Sequence, residues 1–359
     1  MTIDSPEQSA KDKGMCPHGN FRETCGTCKE LREQQPALSK ADSLIAESKY
    51  QRSNIDGPNT RIERDGHQYS IEAIEQGDSK DIKKVQDLFV KTFGKEEVDP
   101  ISVMRSAVDG TTAWGTKDIT RYQINVIKNE KGDVQSTVAG GLVELQDASG
   151  KPSGEATFMI GYAVTDSDVR QGGLAREAYI SALMGAAQEA QKRGLKLVSA
   201  SGECTSTSEH FWNSIGWKRV YGEEKADPKT AQELQYVQPA LDFSEKTGKV
   251  ARDAGAAPEH LMLDSFGGKP LTKDNIIETV DAFYRWCNKW PREAFANDKA
   301  YQKHLEHVDG IMAKFQEQLD SLGDLKALSA AEREQLTKTG LKLKEHKAAD
   351  HNSAGKEDF

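Results

Sequence analysis

GYAVTDSDVRQGGLAREAYI, residues 161–180, passes from an apolar strand through a short Asp/Ser turn into a helix. The junction carries Arg170, Gln171, Gly172, Gly173, Leu174 and Ala175. Glycines between a strand and a helix let backbone approach a ligand closely and aim several N–H groups at one point. The new helix adds its positive N-terminal end. The physical product is a cradle for a diphosphate; the plain alternative is a tight turn with a helix cap.

Working outward, residues 62–243 alternate strand-like and helical patterns, separated by Gly/Asp turns. Strands are expected over 69–74, 122–128, 134–145, 155–164, 196–200, 217–221 and 234–243. Helices are expected over 79–93, 101–108, 173–193 and 206–215. In the first of these, Ile82, Val85, Leu88 and Phe89 form one apolar stripe. The order is β-α-α-β-β-β-α-β-α-β-β, a mixed α/β sheet. Residues 245–260 (KTGKVARDAGAAPEH and its flank) read as a Gly/Ala/Lys-rich bridge. Three helices follow, over 273–290, 298–322 and 329–347. The expected units are 1–60, a metal element and linker; 61–245, the α/β domain; 246–350, a helical region; and 351–359, a disordered tail.

The junction R-x-x-G-x-A after Tyr162-Ala163-Val164 resembles the acyl-CoA-binding segment of the GNAT N-acetyltransferase superfamily. Further on, Phe211-Trp212-Asn213-Ser214-Ile215-Gly216-Trp217 is similar to that family's F-Y-x-x-x-G-F junction. The resemblance covers about half of the chain and implies an N-acetyltransferase using acetyl-CoA and a primary amine. It implies direct attack of the amine on the thioester in a ternary complex. It also implies that Tyr162, Ala163 and Val164 pair with the pantetheine arm, the Val164 amide polarising the thioester carbonyl. The main chain from Arg170 through Gln171, Gly172, Gly173 and Leu174 to Ala175 would hold the diphosphate. Thr205 and Ser208 fall where the family has a polar contact to pantetheine.

The chain departs from the family pattern in three places. The loop TDSDV, residues 165–169, is one residue longer than the commonest form. Trp212 stands where many members have a tyrosine that protonates the departing thiolate, and an indole is no acid. Phe158 stands where histone-type members have a glutamate base. Glu203, closing the strand SGEC, is the preferred base, with Glu144 and Glu155 as rivals. His210 reads as packed or surface, and Cys204 as a small buried residue. The alternative to an enzyme is a degenerate acyl-CoA-binding or protein-docking module.

A second signal is Cys16-Pro17-His18 followed by Cys25-Gly26-Thr27-Cys28, four ligands of the types zinc prefers. Such a closed set implies a structural Zn²⁺; a redox C-x-x-C or chance clustering is the alternative. The five cysteines make a poor disulfide framework and fit a reducing cytoplasm. The net charge of −9 disfavours nucleic acid as the main partner. Mean hydropathy is −0.69 and no apolar run would span a bilayer, so no membrane or signal segment is expected. The C-terminal helices offer apolar stripes, expected to pack on the α/β domain as a lid or to form a homodimer face. His304 and His307 share one face there, which reads as surface. Residues 98–120, with Trp114, are expected to wall the acceptor side.

Overall fold

A computed structural model describes residues 59–346, apart from 112–119, 148, 171, 244–249, 267–270 and 289. Cys16, His18, Cys25 and Cys28 lie outside the described residues, as do Trp114, Gln171 and the tail 351–359.

The chain opens with a hairpin, β1 (Asn59–Arg64) and β2 (His67–Ile74). Two helices follow, α1 (Asp81–Phe93) and α2 (Ile101–Val108), then the meander β3 (Arg121–Asn129), β4 (Val134–Gln146) and β5 (Pro152–Thr165). Helix α3 (Leu174–Lys192) crosses to β6 (Lys196–Cys204), which leads through α4 (Glu209–Ser214) to β7 (Lys218–Glu224) and β8 (Asp227–Glu233). β9 (Gln235–Phe243) and β10 (Val250–Ser265) form a long antiparallel pair. The C-terminal part holds α5 (Lys273–Phe283), α6 (Asp298–Ser321), β11 (Leu322–Leu328), α7 (Ala330–Lys338) and β12 (Lys342–Lys344).

All described strands join one sheet, ordered β1-β2-β3-β4-β5-β6-β10-β7-β8-β12, with β9 on β10 and β11 on β7. β1 to β5 are antiparallel, whereas β5 and β6 run parallel, joined by the α3 crossover. Helices α3 and α4 cover one face through Leu142, Phe158, Tyr179, Trp212 and Trp217. On the other face α1 and α2 pack on Ile124, Val126 and Ala139. Beside them α5 and α6 pack on Val143, Met159, Leu261 and Leu263.

The mixed α/β sheet and its element order from β2 through β7 match the expectation from sequence; β1 does not, because its first residues read as linker. The stretch read as a bridge is instead the first half of β10, which pairs with β9. Residues 260–265 continue between β6 and β7. The C-terminal part is not purely helical, because β11 and β12 add to the sheet. The helix expected over 273–290 gives way after Phe283 to a π-turn, Tyr284–Asn288, and that expected over 329–347 is only α7.

Candidate acyl-CoA site

Pairing of β5 with β6 ends at Ile160 opposite Gly202. Beyond that point β5 runs on beside β4 to Thr165, and β6 runs on beside β10 to Cys204. The two parallel strands therefore part, and their separated ends open a cleft. Skipping of Gly161 in the β4–β5 ladder, between Ile160 and Tyr162, marks a bulge where the strand changes course.

A pocket of about 430 Å³ lies beside the end of β5. Ala163, Val164 and Thr165 supply its strand wall, and Arg170, Gly173, Leu174, Ala175 and Arg176 its loop and helix wall. His210, Phe211 and Ser214 of α4 close it. Gly173 caps α3 in the left-handed region, at φ 76° and ψ 8°, with no side-chain cap on the helix. The loop before it is set by Asp166, whose carboxylate accepts the Asp168 amide at 3.1 Å. The Arg170 Nε donates to the Thr165 carbonyl at 3.4 Å.

Six expected ligand-binding positions therefore meet in one cavity: Ala163, Val164, Arg170, Gly173, Leu174 and Ala175. Gly172 is in the same loop but not on the cavity wall; the carboxylate of Asp65 lies 3.7 Å from where its Cβ would be. Tyr162 turns to the opposite face, stacked on Phe89 with centroids 4.5 Å apart. Its hydroxyl accepts the Asp99 amide and donates to the Glu97 carbonyl, both at 3.2 Å. Thr205 and Ser208 are occupied with each other: the Ser208 amide donates to Thr205 Oγ1 at 3.3 Å, and neither lines the cavity.

Glu203 is the first residue past the last β5–β6 pair, opposite Leu261 of β10. Its neighbour Cys204 is buried in the α3 core, so Glu203 faces the α5 side. Its charge reaches Tyr284, whose phenol burial pushes far up and Glu203 pushes further. Burial likewise raises the Cys204 thiol well above its ordinary range, which keeps it inert. Phe158 and Trp212 both lie in the α3 core, Trp212 packed 4.4 Å from Trp217.

Other contacts near these elements involve residues outside the sequence motifs. Arg64 of β1 pairs with Glu177, a buried carboxylate in the first turn of α3. Its Nε lies 3.9 Å from where a Gly173 Cβ would be. Nothing around Arg64 in the sequence signals a partner 113 positions away. Asp99 is raised by burial to about 6, against the opposing pull of Tyr162. Trp286 lies with ring atoms 3.0 Å from the Cβ position of Gly141 and 3.5 Å from that of Gly161. Arg176 and His210, beside the two motifs, line the cavity as well.

No protein-family model and no curated protein matches the chain. Among solved structures it resembles Ard1 from Thermoplasma volcanium (13% identity, TM-score 0.31), over 55% of this chain and 97% of that one. It also resembles a GNAT-family acetyltransferase from Staphylococcus aureus Mu50 (9%, 0.31), over 54% and 98% of the two chains. A third is Arabidopsis thaliana NAA60 in complex with a bisubstrate analogue (8%, 0.33), over 55% and 99%. None of the helices among the described residues is long and apolar enough to cross a membrane.

Proposed function

We propose that the chain is an acyl-CoA-dependent N-acyltransferase of the GNAT type, acetyl-CoA being the donor and a primary amine the acceptor. The observation carrying this reading is the cavity that joins the end of β5, the left-handed Gly173 cap and the first turn of α3 beside parting parallel strands. Arg170 and Arg176 line it, so it is shaped and charged for a thin arm ending in a diphosphate.

In this mechanism the bound amine attacks the thioester carbonyl in a ternary complex. The carbonyl oxygen takes the developing charge and the Val164 amide polarises it. Collapse expels the CoA thiolate, whose modest basicity lets it leave without a strong acid. Holding amine and thioester together supplies much of the acceleration. The amine proton goes to a carboxylate, and two are available. Glu203 sits where the strands part, and Asp99 has a carboxyl raised toward neutrality, the range suited to a general base.

Acetyl-CoA with a panel of amines should yield free CoA, read by thiol release. Gly173→Val places a branched side chain at positive φ and should weaken CoA binding at least about tenfold. Glu203→Gln and Asp99→Asn should separate the bases, the true one losing about 100-fold in kcat with CoA affinity kept. CoA binding without turnover on any amine would assign the chain to the non-catalytic module. Loss of neither binding nor turnover in Gly173→Val would refute the cradle. The tail at Cys16, His18, Cys25 and Cys28 is proposed to hold a structural Zn²⁺ separately from this chemistry.

A further inference from the structure

Away from the cavity, β8, β10 and the segment after β12 bring Glu233, His260 and His346 together, one ligand atom from each within 4.8 Å of the others. The Glu233 and His260 side chains are each 1% exposed, and that of His346 14%. The His346 Nε2 lies 3.0 Å from the Glu259 carbonyl, which can only accept, so Nε2 carries the proton. In the neutral ring Nδ1 is then a bare lone pair. It points at Glu233 Oε2, 3.4 Å away. Both atoms are buried and neither has a hydrogen-bond partner. Two lone pairs facing one another in a desolvated site call for a positive species between them.

We infer that Glu233, His260 and His346 form a zinc site that fastens the C-terminal segment to the sheet. Ligand atoms of a tetrahedral zinc with bonds of about 2.0–2.1 Å stand about 3.4 Å apart, the separation of His346 Nδ1 from Glu233 Oε2. Two imidazoles and one carboxylate select zinc over the all-oxygen cations. Both rings already have the outer partners that orient metal-bound histidines, the Glu259 carbonyl for His346 and Ser206 Oγ, at 3.0 Å, for His260. His260 Nδ1 now donates to Glu233 Oε1 at 2.6 Å. On metal binding its proton moves to Nε2 and the Ser206 hydroxyl turns from donor to acceptor, with no net proton released. Arg219, 3.5 Å from Glu233 Oε1 and paired with Glu209, neutralises that oxygen and leaves Oε2 for the ion.

The site would add to what holds β12, whose ladder with β8 is only three residues long and is joined by Lys344 on Glu224 and Glu345 on Tyr221. The same arm backs the cavity helix: Arg333 of α7 pairs with Glu209, and the Ala330 amide donates to Asn213 Oδ1 at 2.9 Å.

The test uses the full chain with Cys16, Cys25 and Cys28 changed to Ser, which removes the other cluster of soft ligands. One equivalent of zinc should bind in calorimetry, and cobalt should give visible ligand-field bands without a thiolate charge-transfer band. His346→Ala should weaken zinc at least about 100-fold while circular dichroism and CoA binding persist. His346→Cys should restore the metal and add the thiolate band. Zinc should slow amide exchange over residues 330–346. No uptake by the Cys-to-Ser chain, or uptake indifferent to His346→Ala, would overturn the assignment. So would a His346 ring found doubly protonated at neutral pH by NMR. None of these outcomes depends on acyl transfer.

Discussion

Arg64 and Glu177 show what a single pair can hold in place. Glu177 is wholly buried at the start of α3, and Arg64 reaches it from a strand outside the meander. Removing one partner leaves the other charge in a site without water. Arg64→Ala should therefore cost about 3 kcal/mol in denaturant unfolding and also weaken CoA, since the guanidinium stands beside Gly173. Asp99 acts in the opposite sense. Burial lifts its carboxyl from 3.8 to about 6, so the folded chain keeps a proton that the unfolded chain releases between those values. Stability should fall as pH rises from about 3.8 to about 6 and level off above, and Asp99→Asn should flatten that slope in pH-dependent thermal melts. Gly173 was legible because its spacing after a strand is local. Asp99 and Arg64 were not, since their roles come from contacts made only when distant segments meet.

At the scale of elements, legibility followed burial pattern. β4 and β5 read plainly as strands because their apolar runs face packed layers on both sides. β10 did not, since its first half is Val-Ala-Arg-Asp-Ala-Gly-Ala-Ala-Pro, poor in β-formers. It is a strand because β9 lies along it. Pro258 lies in that half, opposite Val237, where β10 pairs with β9 alone, a position that suits proline better than a central strand. α7 owes little to packing, having no buried residue, and starts from a capping box. Ser329 Oγ accepts the Glu332 amide at 3.3 Å and the Ser329 amide donates back to Glu332 at 2.8 Å. Ser329→Ala should cost about 1 kcal/mol, measured by urea unfolding.

Across the whole molecule, the sheet is covered on both faces, and the C-terminal part supplies half of the second cover. Val143, Met159, Leu261 and Leu263 are buried under α5 and α6. A chain ending at residue 265 would expose this surface while keeping most of the sheet. It should elute as aggregate on size exclusion and bind a dye for exposed apolar surface far more strongly than the full chain. From sequence alone these helices are expected to pack on the α/β domain as a lid or to form a dimer face; their apolar stripes lie on the sheet itself, reached only after β10 carries the chain back between β6 and β7.

Trp286 lies flat against the backbone at Gly141 and near Gly161, three positions from two separate regions of the chain. A methyl group at 141 would push directly into the indole, and a smaller ring at 286 would leave those glycines facing a void. Change at 141 is therefore tied to change at 286, whereas a methyl group at 161 would meet the indole at an ordinary contact distance. In descendants of this chain a side chain at 141 should arrive together with a smaller residue at 286.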